Sequence, residues 1–488
     1  MNERSIEEIG AALASGELTS EALTAACLGR IAGYSELNAV RETNADALRI
    51  AAACDKERRE GRVRSALHGV PVLLKDNIGT ADGMKTTAGV HALGALRTPF
   101  DAGLVQRLRA AGAVILGKCS CPDFCDYMAS TMPSGHSTTG GEIRHPYAKE
   151  VPGLAYGRGG GSSTGVAASI AVGFAPVGVG SETQNSIQAP CSNSSVVGIK
   201  PTVGLVSRAG MVPLAVTQDT AGAIGRTVKD AALVLTVLAG PDPLDTATYA
   251  GLGAGHADYA RFCVDGALGG ARIGVAREHF FGRDGKAAHD AAVNRALDAM
   301  HEAGALIVDP ADIPTARFVM PMLSRVFRTD FKAGLNAFLS RCAERSAMSS
   351  MADIVRHNEK HPEAIPYGQD LLLAAEGTRG DWSEPEYHFD RARDLRLTRD
   401  EGLDQVFREY RLDALVVPMD HAAKFTGKAG YPAVTVPCGY TDDGFPVGLT
   451  FIGRAWSEPR LIALAHAFEQ LGNWRRTPMY TGSTDQVI

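Results

Sequence analysis

The chain has 488 residues, with 49 basic and 55 acidic side chains, a formal net charge of −6 and a hydrophobic fraction of 45%. That balance argues against a disordered or fibrous chain, and the missing basic excess argues against a general nucleic-acid binder, which neutralises phosphates with Lys and Arg. Glycine is the outlier, with 54 residues or about 11% against the usual ~7%, and it shows no G-X-Y period.

The N-terminus, MNERSIEEIG, sets four charges in its first eight residues and has no apolar core, so a secretory signal is not expected. Residues 1–60 read as helical, with Thr19-Ser20-Glu21 starting the helix EALTAACLGRIAG. The apolar run 70–74 reads as a short buried strand with Pro71 near its start. Twice a glycine stops a helix and a strand follows: Gly112 before 113–116, and Gly304 before 305–308. The run 159–181 has no charge across 23 residues, yet Ser162, Ser163, Thr164, Ser169, Pro176 and its glycines make it a poor membrane span. A buried glycine-rich core segment is expected there instead.

TVKDAALVLTVLAGPDP is an amphipathic helix closed by Gly240 and Pro241. Residues 311–400 read as mainly helical, covering a sheet rather than entering it. DALVVP, AVTVP and VGLTFIG then return to strands, and a last helix runs from Ser457, with Pro459 in its first turn, to Gly472. The alternation from end to end is that of an α/β fold, and one large layered domain fits it better than three small ones.

The nine cysteines are odd in number and have no framework spacing, which points to free thiols in a reducing, cytoplasmic setting. Cys119, Cys121 and Cys125 form one cluster, but C-x-C-x₃-C matches no zinc spacing and offers no fourth ligand nearby, so no metal is expected. GAVILGKC at 112–119 is one residue short of a phosphate-binding loop, and its interior is a buried strand with Cys119 at the hydroxyl position. No complete G-x-G-x-x-G supports a dinucleotide site in 157–186.

Gly161, Ser163 and Gly165 match the G-x-S-x-G nucleophile elbow in form, but the residues before them are loop-like, with no strand to project a serine. His421 and His466 are the downstream histidines such an enzyme would call on. The last candidate is the whole glycine- and serine-rich block. Its two polar turns, at Ser162 and Ser186, are separated by a helix-like and then a strand-like segment, a return that brings both to one end of a sheet. Amides of such turns form an anion nest suited to an oxyanion hole beside a serine nucleophile. Two tight turns with incidental serines are the plainer alternative.

The order and wording of this block resemble the amidase signature family. The matching pieces are HGVPVLLKDN, GGGSSTG, SETQNSIQAP, VVGIKPTVGLVSRAGMVPLAVTQDTAGAIGRTVKDAALVL, YARFCVDGALGGARIGVARE, DALVVP, AGYPAVTVPCGY and GFPVGLTFIGRAWSEPRLIALAHAFEQ. They span nearly the whole chain and are most similar to the peptide-amidase-like branch. The resemblance implies a single α/β/α layered domain over 1–488 with a central mixed β-sheet covered by helices. It also implies a helical segment over 1–60, a catalytic core over 61–240 and a helical cap over 311–400.

It further implies a Lys75, Ser162, Ser186 triad with Ser186 as nucleophile, Lys75 as base and Ser162 as relay, and a cis peptide at Gly161–Ser162. Lysines in desolvated sites can be neutral enough to accept a proton, which makes that assignment coherent. The amides of Thr183, Gln184, Asn185 and Ser186 resemble the family's oxyanion hole.

Three positions depart from the pattern. Asn185 stands where glycine is usual, and asparagine tolerates the positive φ such a turn can need. Gln184 replaces the branch's acidic residue, and Gln188 an arginine common elsewhere in the family. Gln184, Asn185 and Gln188 are therefore the expected substrate-binding positions, and the 418–430 connection looks short.

The expected activity is hydrolysis of a small-molecule or peptide-like amide without metal, nucleotide or flavin, and without nucleic acid or membrane as partner. Transfer of the same acyl group to an amine, attack on an ester or hydrazide, and a non-catalytic binding homologue stay open. The resemblance admits a homodimer.

Overall fold

In a computed structural model, residues 3–151, 153–157, 159–283 and 285–479 are described. The first two and last nine positions of the expected domain therefore lie outside the described residues.

Thirteen strands are present among the described residues. In the first half these are β1 (Val40–Thr43), β2 (Pro71–Lys75), β3 (Val114–Cys119), β4 (His136–Ser137), β5 (Gly141–Glu142), β6 (Val177–Glu182), β7 (Val197–Lys200) and β8 (Thr220–Gly225). The second half adds β9 (Arg272–Val275), β10 (Leu306–Val308), β11 (Ala414–Pro418), β12 (Ala433–Tyr440) and β13 (Pro446–Ile452). Apart from the β4–β5 hairpin they form one 11-stranded sheet in the order β1-β3-β2-β6-β8-β7-β12-β13-β11-β9-β10.

The sheet is mixed. β2 runs parallel to both β3 and β6, β9 runs parallel to β10 and β11, and the remaining neighbours are antiparallel. Both faces are covered, as the alternation along β2 shows. Val72 and Leu74 join a core with the helices Val228–Leu238, Ala287–Glu302 and Glu458–Glu469, whereas Leu73 joins the opposite core with Ser20–Gly33 and Thr164–Ala171. Strands buried on both sides read as continuous apolar runs, which is why the sequence shows β2, β3 and β11 so clearly.

Local signals behave as their chemistry dictates. Thr19 accepts from the Ala22 amide and Thr227 from the Asp230 amide, each capping its helix, and Gly112 and Gly304 hold φ of 82° and 90° where the helices Gly103–Ala110 and Ala287–Glu302 give way to β3 and β10. The run 159–181 folds as the helix Thr164–Ala171 followed by β6, and no helix of the described residues is long and apolar enough to cross a membrane. Between β10 and β11 the chain forms helices, among them Val326–Arg341, Met351–Lys360 and Pro385–Leu395.

One expectation needs correction. Residues 1–60 are not all helical, because β1 pairs antiparallel with β3 at the sheet edge. Its sequence, VRET, is short, polar and only part-buried, so it carries no strand periodicity.

Candidate active site

Lys75 is the last residue of β2, and β6 lies beside it in parallel with Leu74 opposite Val179. The turn that leaves β6 carries Thr183 to Ser186, so both groups reach the same end of adjacent strands, where parallel sheets commonly place their chemistry. Ser162 precedes the helix Thr164–Ala171, and its peptide bond with Gly161 is cis.

The three side chains meet. Lys75 Nζ lies 2.7 Å from Ser162 Oγ, and Ser162 Oγ lies 2.9 Å from Ser186 Oγ. Lys75 and Ser162 are wholly buried, and Ser186 keeps 5% exposure on the cavity side. Lys75 also donates to the Ser181 carbonyl at 3.1 Å. The two turns are tied by the Ser163 amide, which donates to the Ser186 carbonyl at 2.9 Å.

The backbone around Ser186 is divided into two sets of amides. Those of Ile187 and Gln188 donate to Glu182 Oε2 at 2.7 and 3.0 Å. Among the described residues, those of Thr183, Gln184, Asn185 and Ser186 donate to no protein acceptor. Burial pushes the Glu182 carboxyl up to about 7, against the pull of Lys200 and of its amide donors. The Thr183 hydroxyl is held by Asp219 at 2.6 Å, and that carboxylate also accepts from the Leu214 and Ala215 amides.

A cavity of about 260 Å³ opens beside Ser186. Gln184 and Asn185 line it, as expected. Gln188 does not: it is 1% exposed, and its Nε2 donates to Glu182, to the Gln184 carbonyl at 3.2 Å and to Thr426 Oγ1 at 3.1 Å. A neutral amide beside a buried carboxylate is drawn inward, so Gln188 belongs beneath the turn.

Asn185 also differs from expectation, because its φ is not positive. Its Nδ2 instead donates to the Gly159 carbonyl at 2.7 Å and to Asp420 Oδ2 at 3.3 Å, bracing the turn that the usual glycine would leave free. The short 418–430 connection folds into the helix Ala423–Ala429, which presses against the Ser186 turn. Gly427 is required there, since a Cβ would stand 2.5 Å from the Thr183 carbonyl oxygen.

The other motifs resolve differently. Ser163 Oγ donates to the Ser181 carbonyl at 3.0 Å and accepts from the Ser181 amide at 3.2 Å, facing β6 rather than the cavity. His421 Nδ1 lies 2.6 Å from the Phe280 carbonyl, and His466 lies near Asp265 and Glu469, so neither serves a serine elbow. GAVILGK lies in and just before β3.

Sequence reasoning missed the wall made by Cys125, Asp126 and Tyr127. Its signal was the C-x-C-x₃-C cluster. Phe124, Cys125 and Asp126 hold φ of 45°, 57° and 73°, three successive residues in the left-handed region that non-glycine residues rarely enter. Hydrogen bonding with Cys121 and contact with Ser162 hold the Cys125 thiol below its usual range, against burial, which opposes ionisation. Cys119 and Cys438, by contrast, are pushed up by burial.

Iodoacetamide is therefore expected to alkylate Cys125 ahead of the buried thiols. Its rate should rise with pH as thiolate forms and level off at a lower pH than for an ordinary thiol. Peptide mapping across pH 5–8 checks this, and preferential labelling of Cys119 or Cys438 would contradict it.

Known proteins share this architecture. The Amidase family model matches residues 22–429. The chain belongs to the Amidase family. It is 35% identical to a probable amidase of Arabidopsis thaliana, covering 98% of this chain and 92% of that protein. To a glutamyl-tRNA(Gln) amidotransferase polypeptide of Chloroflexus aggregans it is 33% identical over 95% of each chain.

Among solved structures, the native peptide amidase of Stenotrophomonas maltophilia superposes with a TM-score of 0.91 at 39% identity, covering 98% of this chain and 99% of that one. The layered α/β architecture is thus that of this amidase, in agreement with the peptide-amidase-like resemblance.

Proposed function

We propose that this member of the Amidase family hydrolyses the C–N bond of a small or peptide-like amide through an acyl-enzyme on Ser186. The observation that carries the reading is the unbroken line from Lys75 Nζ through Ser162 Oγ to Ser186 Oγ, with steps of 2.7 and 2.9 Å, ending beside four amides without acceptors among the described residues.

Ser186 Oγ attacks the amide carbonyl carbon as its proton passes to Ser162, while the Ser162 proton passes to Lys75. The carbonyl oxygen becomes an oxyanion held by amides of the Thr183–Ser186 turn, where one donor is worth about 3–4 kcal/mol in the transition state. The proton returns through Ser162 to the departing amine as the C–N bond breaks. Water then repeats the sequence on the ester and restores Ser186.

The similarity to peptide amidase supports amidated peptides as first substrates, and the cavity volume supports short acyl groups. The test is product analysis on a panel of primary amides and C-terminally amidated dipeptides, with and without hydroxylamine. Ammonia release with diversion of the acyl group to a hydroxamate is the expected result. Ammonia release without hydroxamate would count against an acyl-enzyme open to acceptors, and no ammonia from any amide would overturn the hydrolase reading.

A further inference from the structure

Cys125, Asp126, Tyr127, Lys424 and Lys428 are the ionisable side chains that line the cavity beside Ser186, and its carboxyl and two ammonium groups differ in electrostatic status. Lys428 is neutralised, because its Nζ lies 2.6 Å from Asp394 Oδ2 and both side chains are almost completely buried. Asp126 is pushed up to about 7 by burial, and its Oδ1 is shielded without a hydrogen-bond partner among the described residues. It therefore carries only part of a negative charge near neutrality.

Lys424 is different. Its Nζ donates to the carbonyls of Met320 at 2.8 Å and Met322 at 2.7 Å, and among the described residues no carboxylate stands within ion-pair distance. An ammonium has three N–H donors, so one is left over. A part-buried cation without a counter-ion is unfavourable, and an anion brought to it is correspondingly favoured.

Lys424 is also held near the reacting centre. It sits on the helix Ala423–Ala429, one turn before Lys428, and that helix touches the Thr183–Gln184 backbone at Gly427. The Met320 and Met322 carbonyls anchor its ammonium to the segment whose Met322, Leu323 and Phe327 form the apolar wall. Gln184, whose Nε2 donates to Gln218 Oε1 at 3.2 Å, contributes no charge.

We infer that Lys424 is a specificity-determining residue, and that the preferred substrates are amides bearing a carboxylate separated from the scissile amide by a short apolar spacer. This rests on the acyl-enzyme reading, in which Ser186 marks where the amide carbonyl lies. The spacer would run along the Met322, Leu323 and Phe327 wall, and the carboxylate would accept the remaining Lys424 N–H.

The experiment compares succinamate, glutaramate and adipamate with pentanamide and 5-aminopentanamide, in wild type, Lys424→Met and Lys424→Arg. For at least one spacer, wild type is expected to show a kcat/KM at least tenfold above that for pentanamide, and more above the cationic amide. Lys424→Met should collapse the carboxylate-to-pentanamide ratio about tenfold, and Lys424→Arg should keep it. A ratio equal in wild type and Lys424→Met would overturn the assignment.

Should none of these amides turn over, Ser186 labelling by a fluorophosphonate is followed with glutarate or neutral glutaramide present at matched ionic strength. Glutarate should protect wild type and Lys424→Arg but not Lys424→Met, and equal protection of all three would overturn the role of Lys424. Absence of any Ser186 adduct in wild type would instead remove the acyl-enzyme reading and this inference with it.

Discussion

Ser186→Ala is expected to lower kcat/KM by about 10⁴-fold or more, the scale seen when a nucleophile acting within a unit is removed. The side chain loses a single oxygen, and the turn around it is held by other groups: the Ser163 amide on the Ser186 carbonyl and Glu182 on the amides of Ile187 and Gln188. Thermal unfolding should therefore shift little, so that loss of turnover reports chemistry.

Ser163→Ala is the matched control. That hydroxyl bonds both the amide and the carbonyl of Ser181 in a fully buried position, so its removal should lower stability by about 1–3 kcal/mol while Ser186 stays reactive. Denaturation midpoints and turnover on the same preparations separate the two serines. Loss of activity in Ser163→Ala at retained stability would speak for the elbow arrangement instead.

Lys75→Met is the second large effect. Methionine keeps an unbranched chain of similar length in a wholly buried site but removes the nitrogen that contacts Ser162. Losing a positioned base commonly costs 10²–10⁴-fold, and a reduction of about 10³-fold or more in kcat is expected, with KM affected less. Lys75→Arg should not restore activity, because a guanidinium stays protonated and cannot accept the Ser162 proton. Measured rates that recover in the arginine variant would show that positive charge, rather than proton transfer, is what the position supplies.

The sequence made the proposed reacting groups far more legible than the cavity around them. Lys75 follows an apolar strand, and the Ser162 and Ser186 turns bracket a helix and a strand. Short-range patterns therefore bring the two serine turns to one sheet end, the family resemblance adds Lys75 to them, and the three side chains lie together at the ends of β2 and β6. β1 escaped notice because VRET lies at an edge with polar side chains.

The cavity wall is assembled from segments far apart in the chain, at 125–127, 214, 322–327 and 424–428, and no local periodicity reports such a meeting. Gln188 shows the same limit from the other side. Its replacement of an arginine common elsewhere in the family suggested substrate contact, yet the helix that begins there turns it toward Glu182. Lys424 was visible as one lysine of a short connection. Only the fold shows that its ammonium meets carbonyls rather than a carboxylate.

The most direct test of the central claim is intact-mass and peptide mapping after treatment with a fluorophosphonate, run in parallel on wild type, Lys75→Met and Ser163→Ala. One adduct per chain on Ser186 is expected in wild type and Ser163→Ala, and strongly slowed labelling in Lys75→Met. An adduct on Ser163, or a Ser186 adduct that forms equally fast without Lys75, would contradict the Lys75–Ser162–Ser186 relay.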